Sequence, residues 1–234
     1  LYYQEGRLRH RPREERAPEK SCIFAVRKVI CAMIKNVIFD FGAVLVDWNP
    51  HYLYDPWFGS HEKAAWFLEN ICTTRWNTQM DGGKPFAEGI AELTALHPEW
   101  QKEIAMFDSQ WERMMGGEIP GMYELLSRLR TRGYRLWGLT NWSSEKFCLI
   151  RGKYPVFDLL DGMLVSGDVH LLKPSADIFR ALMEKYALEP SECVFVDDNA
   201  DNVAGAEAFG IPAVRFTGAA NLCASPLFRP LLTD

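Results

Sequence analysis

Asp40 follows the apolar run Val37-Ile38-Phe39, and Asp197-Asp198 follow Val194-Phe195-Val196. Three carboxylates therefore stand at the ends of two segments that read as buried strands. In an open parallel sheet the ligand site lies beyond the carboxyl ends of the strands, where strand order reverses. If these two strands are neighbours the carboxylates crowd together, and like charges raise one another's pKa. A hard divalent cation relieves that conflict. Magnesium suits such a place, because it prefers oxygen ligands and is commonly held by one or two carboxylates together with a substrate phosphate oxygen. Two further polar pairs occupy comparable positions: Thr140-Asn141 after the apolar run 136–139, and Lys173-Pro174 ahead of the stripe Ile178, Leu182, Met183 and Tyr186. Taken singly, each group has an ordinary structural use, since Asp caps turns and helices, Thr-Asn makes turns and Lys-Pro starts helices. It is their joint order along the chain that points to chemistry.

The elements that must position these groups alternate between strand and helix. Apolar runs at 163–165 and 212–216 add two strands to the three already named, and Met122, Leu125, Leu126 and Leu129 form a second helical stripe. Gly133 and Gly210 fall where helix C-caps are expected. This alternation predicts an α/β fold with a doubly wound parallel sheet. Residues 51–117 break the pattern and read as helices only, over 61–72, 85–96 and 98–115. In the last of these Trp100, Ile104, Phe107 and Trp111 repeat at helical spacing. Such a block after the first strand reads as an inserted cap, with most of its aromatics in its own core.

Residues 1–32 differ in character. Arg7, Arg9, Arg11, Arg13 and Arg16 are interspersed with Pro12, Pro18 and four glutamates, and Arg27 and Lys28 interrupt the apolar segment that follows. No signal peptide or acid-poor transit peptide looks like this. A disordered extension or upstream translated sequence is expected, with the folded protein starting near Met33; a basic docking arm is the alternative. The formal net charge of −5, with no basic stripe in the body, excludes nucleic acid as the expected partner. No apolar run approaches the roughly 20 residues needed to span a bilayer. Six cysteines without CxxC spacing are expected to be reduced, buried thiols, which points to a cytoplasmic location. His51, His61, His97 and His170 have no ligand spacing and are expected at the surface or in caps. The sequence leaves monomer and homodimer equally open.

The ordered set of strand-end motifs resembles the haloacid dehalogenase superfamily over residues 33–216. Phe39-Asp40-Phe41-Gly42-Ala43-Val44-Leu45 matches its first motif and Leu139-Thr140-Asn141 its second. Lys173-Pro174, four residues ahead of Ile178-Phe179, matches the third, and Phe195-Val196-Asp197-Asp198-Asn199 with Asn202-Val203 the fourth. The likeness extends to a branch of small bacterial phosphatases that includes the α-D-glucose-1-phosphate phosphatases. It implies a Rossmann-like core over 33–50 and 118–234 with an all-helical cap over 51–117.

The resemblance implies roles as well. Magnesium would be bound by the Asp40 carboxylate, the Gly42 carbonyl and Asp198, with Asp197 beside these ligands and supporting them. Asp40 would attack phosphorus, Thr140 and the amide of Asn141 would bind the non-bridging oxygens, and Lys173 would orient Asp40 and neutralise charge. The implied substrate is a small phosphomonoester of the sugar-phosphate kind. Most phosphatases of this superfamily carry a second Asp two residues after the nucleophile as proton donor and acceptor; here that position is Gly42. Without it, activated leaving groups are expected to react ahead of poor ones, unless a residue from the cap or from the flap around Asp47 supplies the proton. Trp48, Asn49, Arg75, Trp76 and Asp81 are the candidates to face the site from that side. A 2-haloacid dehalogenase using Asp40, or a weakly catalytic phosphometabolite-binding protein, are the other readings.

Overall fold

The computed structural model describes residues 33–233, so the expectations for residues 1–32 lie outside the described residues. Five strands form one parallel sheet: β1 (Asn36–Phe39), β4 (Arg135–Thr140), β5 (Gly162–Val165), β6 (Cys193–Asp197) and β7 (Ala213–Arg215), in the order β5-β4-β1-β6-β7. The chain moves from β1 outward through β4 to β5, then crosses back to β6 and on to β7. Strand order therefore reverses between β1 and β6, the arrangement that brings Asp40 beside Asp197 and Asp198.

The side-chain alternation of the strands divides the core into two. Val37, Phe39, Leu136, Val194 and Val196 face one layer of the core, which holds Met122, Leu125, Leu126 and Leu129 of helix α6 (Met122–Thr131). Ile38, Trp137, Leu139 and Phe195 face the other, which holds Ile178, Phe179, Leu182 and Met183 of α9 (Ala176–Tyr186) and Ala206 of α10 (Ala200–Phe209). With apolar helices on both faces the central strands are buried throughout, which is why they read as continuous apolar runs. Ser175 and Asn199 cap the starts of α9 and α10 through their side chains. Gly210 closes α10 at φ 102, and Gly133 follows α6 at φ 88.

Between β1 and β4 the chain departs from the expected helices-only block. A two-stranded antiparallel ribbon pairs β2 (Val46–Trp48) with β3 (Met115–Glu118), so the segment expected as helix to position 115 ends in a strand. The ribbon frames five helices: α1 (His51–Phe58), α2 (His61–Asn70), α3 (Thr74–Asp81), α4 (Phe86–Leu96) and α5 (Gln101–Ser109). Short 3₁₀ turns at Pro98–Trp100 and Trp111–Met114 break what reads in sequence as one long helix. Tyr54, Phe67, Trp76, Phe86 and Phe107 are buried among one another, as expected of cap aromatics. Four short helices complete the fold: α7 (Ser144–Ile150), α8 (Ser166–Val169), α11 (Ala219–Ala224) and α12 (Arg229–Leu232). Among the described cysteines Cys72 and Cys193 are buried, but Cys148 is exposed, against the expectation of buried thiols. No helix of the described residues is long and apolar enough to cross a membrane.

Candidate active site

Lys173 organises the charges at the strand ends. Its ammonium is fully buried and spends its donors on Asp40 Oδ1 at 2.8 Å, Asp197 Oδ2 at 2.7 Å and the Leu139 carbonyl at 3.0 Å. Burial alone would lower the Lys173 pKa, but the two carboxylates outweigh it and hold the group above the ordinary lysine value. Its backbone is fixed by Asn141, whose side chain donates to the Lys173 carbonyl at 3.0 Å and accepts from the Lys173 N–H at 2.9 Å. The second and third motifs are thus one hydrogen-bonded unit.

Asp40 Oδ1 also accepts from the Phe41 N–H at 2.7 Å. Burial raises the Asp40 carboxyl to about 7, with Lys173 lowering it and Asp197 raising it further. Asp197 is wholly buried and its oxygens are taken up: besides Lys173, it accepts from the Asn199 N–H at 2.8 Å and from Asn202 Nδ2 at 3.1 Å on each oxygen. Asp198 is half-buried, and burial together with Asp197 raises its pKa. Ligand atoms of Asp40, Asp197 and Asp198 all lie within 4.8 Å of one another, the spacing of a metal-binding group. Because its oxygens serve Lys173 and Asn202, Asp197 supports this cluster, while Asp40 lines the cleft beyond it and Asp198 stays partly exposed.

Above the cluster opens a cleft lined by Asp40, Gly42, Thr140 and Asn141 from the core and by Trp48, Asn77, Asp81 and Phe86 from the ribbon and cap helices. Trp111, Trp142, Ser143 and Lys146 complete it. Thr140 Oγ1 and Trp48 Nε1 are buried there without a hydrogen-bond partner among the described residues. Buried polar atoms without partners are costly, and an anionic or hydroxyl-bearing ligand would satisfy both. Gly42 has no positive φ, and a Cβ there would meet Trp142 Cζ3 at 3.5 Å, an ordinary contact. The left-handed residue of this loop is its neighbour Ala43, at φ 57.

The cap-side candidates separate. Trp48 and Asp81 line the cleft. Asn49 instead accepts from the His51 N–H just ahead of α1, and Arg75 is exposed. Trp76 is buried in the cap core, donating to the Gly89 carbonyl and packing edge-on against Phe107. Asp47 accepts from the Tyr52 hydroxyl on the outside of the ribbon. Lys146, Ser143, Phe86, Trp111 and Trp142 carry no sequence signal for the cleft; Lys146 is ion-paired with Asp108 and lies 4.5 Å from the Phe86 ring centroid. His51 and His61, expected at the surface or in caps, converge on Asp55, at 2.7 and 2.8 Å, and tie α1 to α2 on the surface of the cap.

Residues 34–210 match the family model of the haloacid dehalogenase-like hydrolases. A sesquiterpene phosphatase of Aspergillus oryzae is 25% identical over 200 residues, which cover 83% of this chain and 95% of the relative. D-ribitol-5-phosphate phosphatase of Bacteroides thetaiotaomicron is 25% identical over 181 residues, covering 73% of this chain and 86% of that protein. A haloacid dehalogenase family enzyme of Bacteroides thetaiotaomicron, solved in complex with magnesium and inorganic phosphate, shares the fold with a TM-score of 0.61 at 22% identity. The match covers 80% of this chain and 96% of the other.

Proposed function

The chain belongs to the haloacid dehalogenase-like hydrolases, and we propose that it is a magnesium-dependent phosphatase acting on a small, sugar-phosphate-like phosphomonoester through an aspartyl phosphate on Asp40. The observation that carries this reading is the Asp40, Asp197, Asp198 cluster at the strand-order reversal. Three carboxylates beside one buried lysine leave the site with excess negative charge, and an oxygen-preferring cation balances it. Magnesium there would be held by the Asp40 and Asp198 carboxylates and the Gly42 carbonyl, and it would supply the charge that lets an anionic ester approach an anionic nucleophile.

The chain's own residues do the rest. Lys173 and the Phe41 N–H fix the Asp40 carboxylate so that it attacks phosphorus in line, forming the Asp40 O–P bond as the bond to the leaving oxygen breaks. Thr140 Oγ1, a buried hydroxyl without a protein partner among the described residues, hydrogen-bonds a non-bridging oxygen. Water then attacks phosphorus and releases phosphate. Trp48, Phe86, Trp111 and Trp142 give the cleft aromatic walls for the rest of the substrate, and the Trp48 indole N–H offers a donor to one of its oxygens. That two relatives are phosphatases supports the reading.

A metal-free dehalogenase fits less well, because a carboxylate cluster this close weakens a site for an anionic haloacid. The assay that separates the readings is phosphate release from p-nitrophenyl phosphate with and without magnesium, run beside halide release from 2-chloropropionate. Phosphate release that requires magnesium, with no halide release, is the expected result. Halide release without phosphate release overturns it.

A further inference from the structure

The phosphatase reading leaves one chemical step without a carrier. An ester oxygen that leaves phosphorus must take up a proton unless it is a good anion, and the water that cleaves the aspartyl phosphate must lose one. Gly42, where an acid would ordinarily follow the nucleophile, can do neither.

The cap places a carboxyl in the same cleft. Asp81 is the last residue of α3 and lines the cleft together with Asp40, Gly42 and Thr140. Its carboxyl is held on two sides: Asn77 Nδ2 donates to Oδ2 at 3.1 Å, and the Ser143 backbone N–H bonds it from the loop after β4. Its backbone is anchored to the core rather than left to move with the cap. Ser166 Oγ, fully buried, donates to the Asp81 carbonyl at 2.6 Å while accepting the Trp142 N–H at 2.8 Å. Next along the chain, His170 Nδ1 lies 3.0 Å from the Gly82 carbonyl. Gly83, at φ 99, comes so close to His170 that a Cβ would sit 2.0 Å from its ring. Phe86 N–H donates to Glu145 on α7. Four successive ties pin the turn that carries Asp81 against the strand ends.

We propose that the Asp81 carboxyl is the proton donor to the leaving oxygen and the proton acceptor from water, in the role that Gly42 cannot fill. This rests on the phosphatase reading. In the first step Asp40 bonds to phosphorus, the ester P–O bond breaks, and the Asp81 proton passes to the departing oxygen. In the second, water bonds to phosphorus, its proton passes to the Asp81 carboxylate, and the Asp40 O–P bond breaks. Asp81 ends as it began. A donor must be able to hold its proton, and burial of the carboxyl favours its neutral form, against a lowering by the Ser143 N–H. The charged groups around it are Asp40 and Lys146 on the cleft walls, Glu145 on α7, Asp168 and His170 at α8, and Lys84 with Glu88 where α4 begins. Lys146 and Lys84 are already paired, with Asp108 and with Glu88 and Glu92.

The test is Asp81→Asn, which keeps the shape and the partner Asn77. Rates are measured with magnesium for a series of aryl and alkyl phosphates, and phosphoenzyme is followed after acid quench. The expected result is a burst of p-nitrophenolate equal to the enzyme concentration, then slow turnover with phosphoryl-Asp40 accumulating. For alkyl phosphates the first step should be slower by roughly a hundredfold or more, against little change in the burst rate of the best aryl leaving groups. Gly42→Asp in the Asp81→Asn background should restore part of the alkyl rate, since its Cβ finds room. Unchanged turnover overturns the assignment, as does a rise in KM alone, the mark of a residue that only binds substrate. If the parent releases no phosphate from any ester, the phosphatase reading fails and the assignment with it. An active parent and an unaltered variant sink the assignment alone.

Discussion

At the scale of single residues, the charge balance of the site turns on Lys173, whose fully buried ammonium is shared between Asp40 and Asp197. Removing one partner of a buried ion pair leaves the other uncompensated, which costs about 3–5 kcal/mol. Lys173→Met should therefore lose phosphatase activity and also lower the metal-free protein's stability in urea. The loss should shrink as pH falls, because Asp40, whose carboxyl burial already raises, can then protonate instead of standing as an uncompensated anion. A stability loss independent of pH would mean that packing of the lysine stem, rather than its charge, is what matters. Asp40, Thr140, Asp197 and Asp198 were legible in the sequence because a polar residue ending an apolar run is conspicuous, and Lys173 because Lys-Pro stands ahead of a helical stripe. Lys146 and Trp142 were not, since each sits in a stretch whose pattern fits an ordinary helix or loop. Asp81 was legible only as a polar residue near a loop edge; what distinguishes it from Arg75 is a turn anchored by contacts distant in the chain.

Among the elements, the sheet was readable and the cap only in part, for physical reasons that differ. Central parallel strands are buried on both faces and advertise themselves as apolar runs. Strand β3 reads Met-Gly-Gly-Glu, which has no strand propensity and is held by its pairing with β2. Helix α3 buries only Trp76 and Met80, one pair at helical spacing, so its periodicity is faint. Helix α1 carries Pro56 and lacks a side-chain cap, both of which argue against a helix in sequence terms. One of the contacts that seat the cap on the core is a buried hydroxyl. Ser166→Ala leaves the Trp142 N–H and the Asp81 carbonyl without their partner, at a cost of about 1–3 kcal/mol. Denaturant unfolding should show a destabilisation in that range, and turnover of alkyl phosphates should fall more than that of aryl phosphates as Asp81 loses its position. Equal effects on both substrate classes would show that the hydroxyl merely stabilises the fold.

For the molecule as a whole, the raised carboxyls couple stability to pH and to metal. Asp40 and Asp81 each stand at about 7 in the folded, metal-free protein against an ordinary value of 3.8, and Asp198 is raised as well. Between those values the folded state binds more protons than the unfolded chain, so stability falls as pH rises from about 4 to about 7 and then levels off. The metal-free thermal midpoint should follow that course. Magnesium favours the ionised carboxylates and binds only the folded state, so it should raise the midpoint more above pH 7 than below it. Asp198→Ala should abolish most of that increment. A magnesium effect that ignores pH, or that survives Asp198→Ala, would place the cation elsewhere.

The central claim is that a phosphoryl group passes through Asp40, and it can be observed on the protein itself. The parent protein turning over p-nitrophenyl phosphate with magnesium is quenched in acid, digested and searched by mass spectrometry for a phosphoryl adduct. The account predicts an adduct on the peptide containing Asp40, labile to hydroxylamine as an acyl phosphate is, dependent on magnesium, and absent together with phosphate release in Asp40→Asn while the fold is retained. Phosphate release at the parent rate by Asp40→Asn, or an adduct on another residue that persists in that variant, would contradict it.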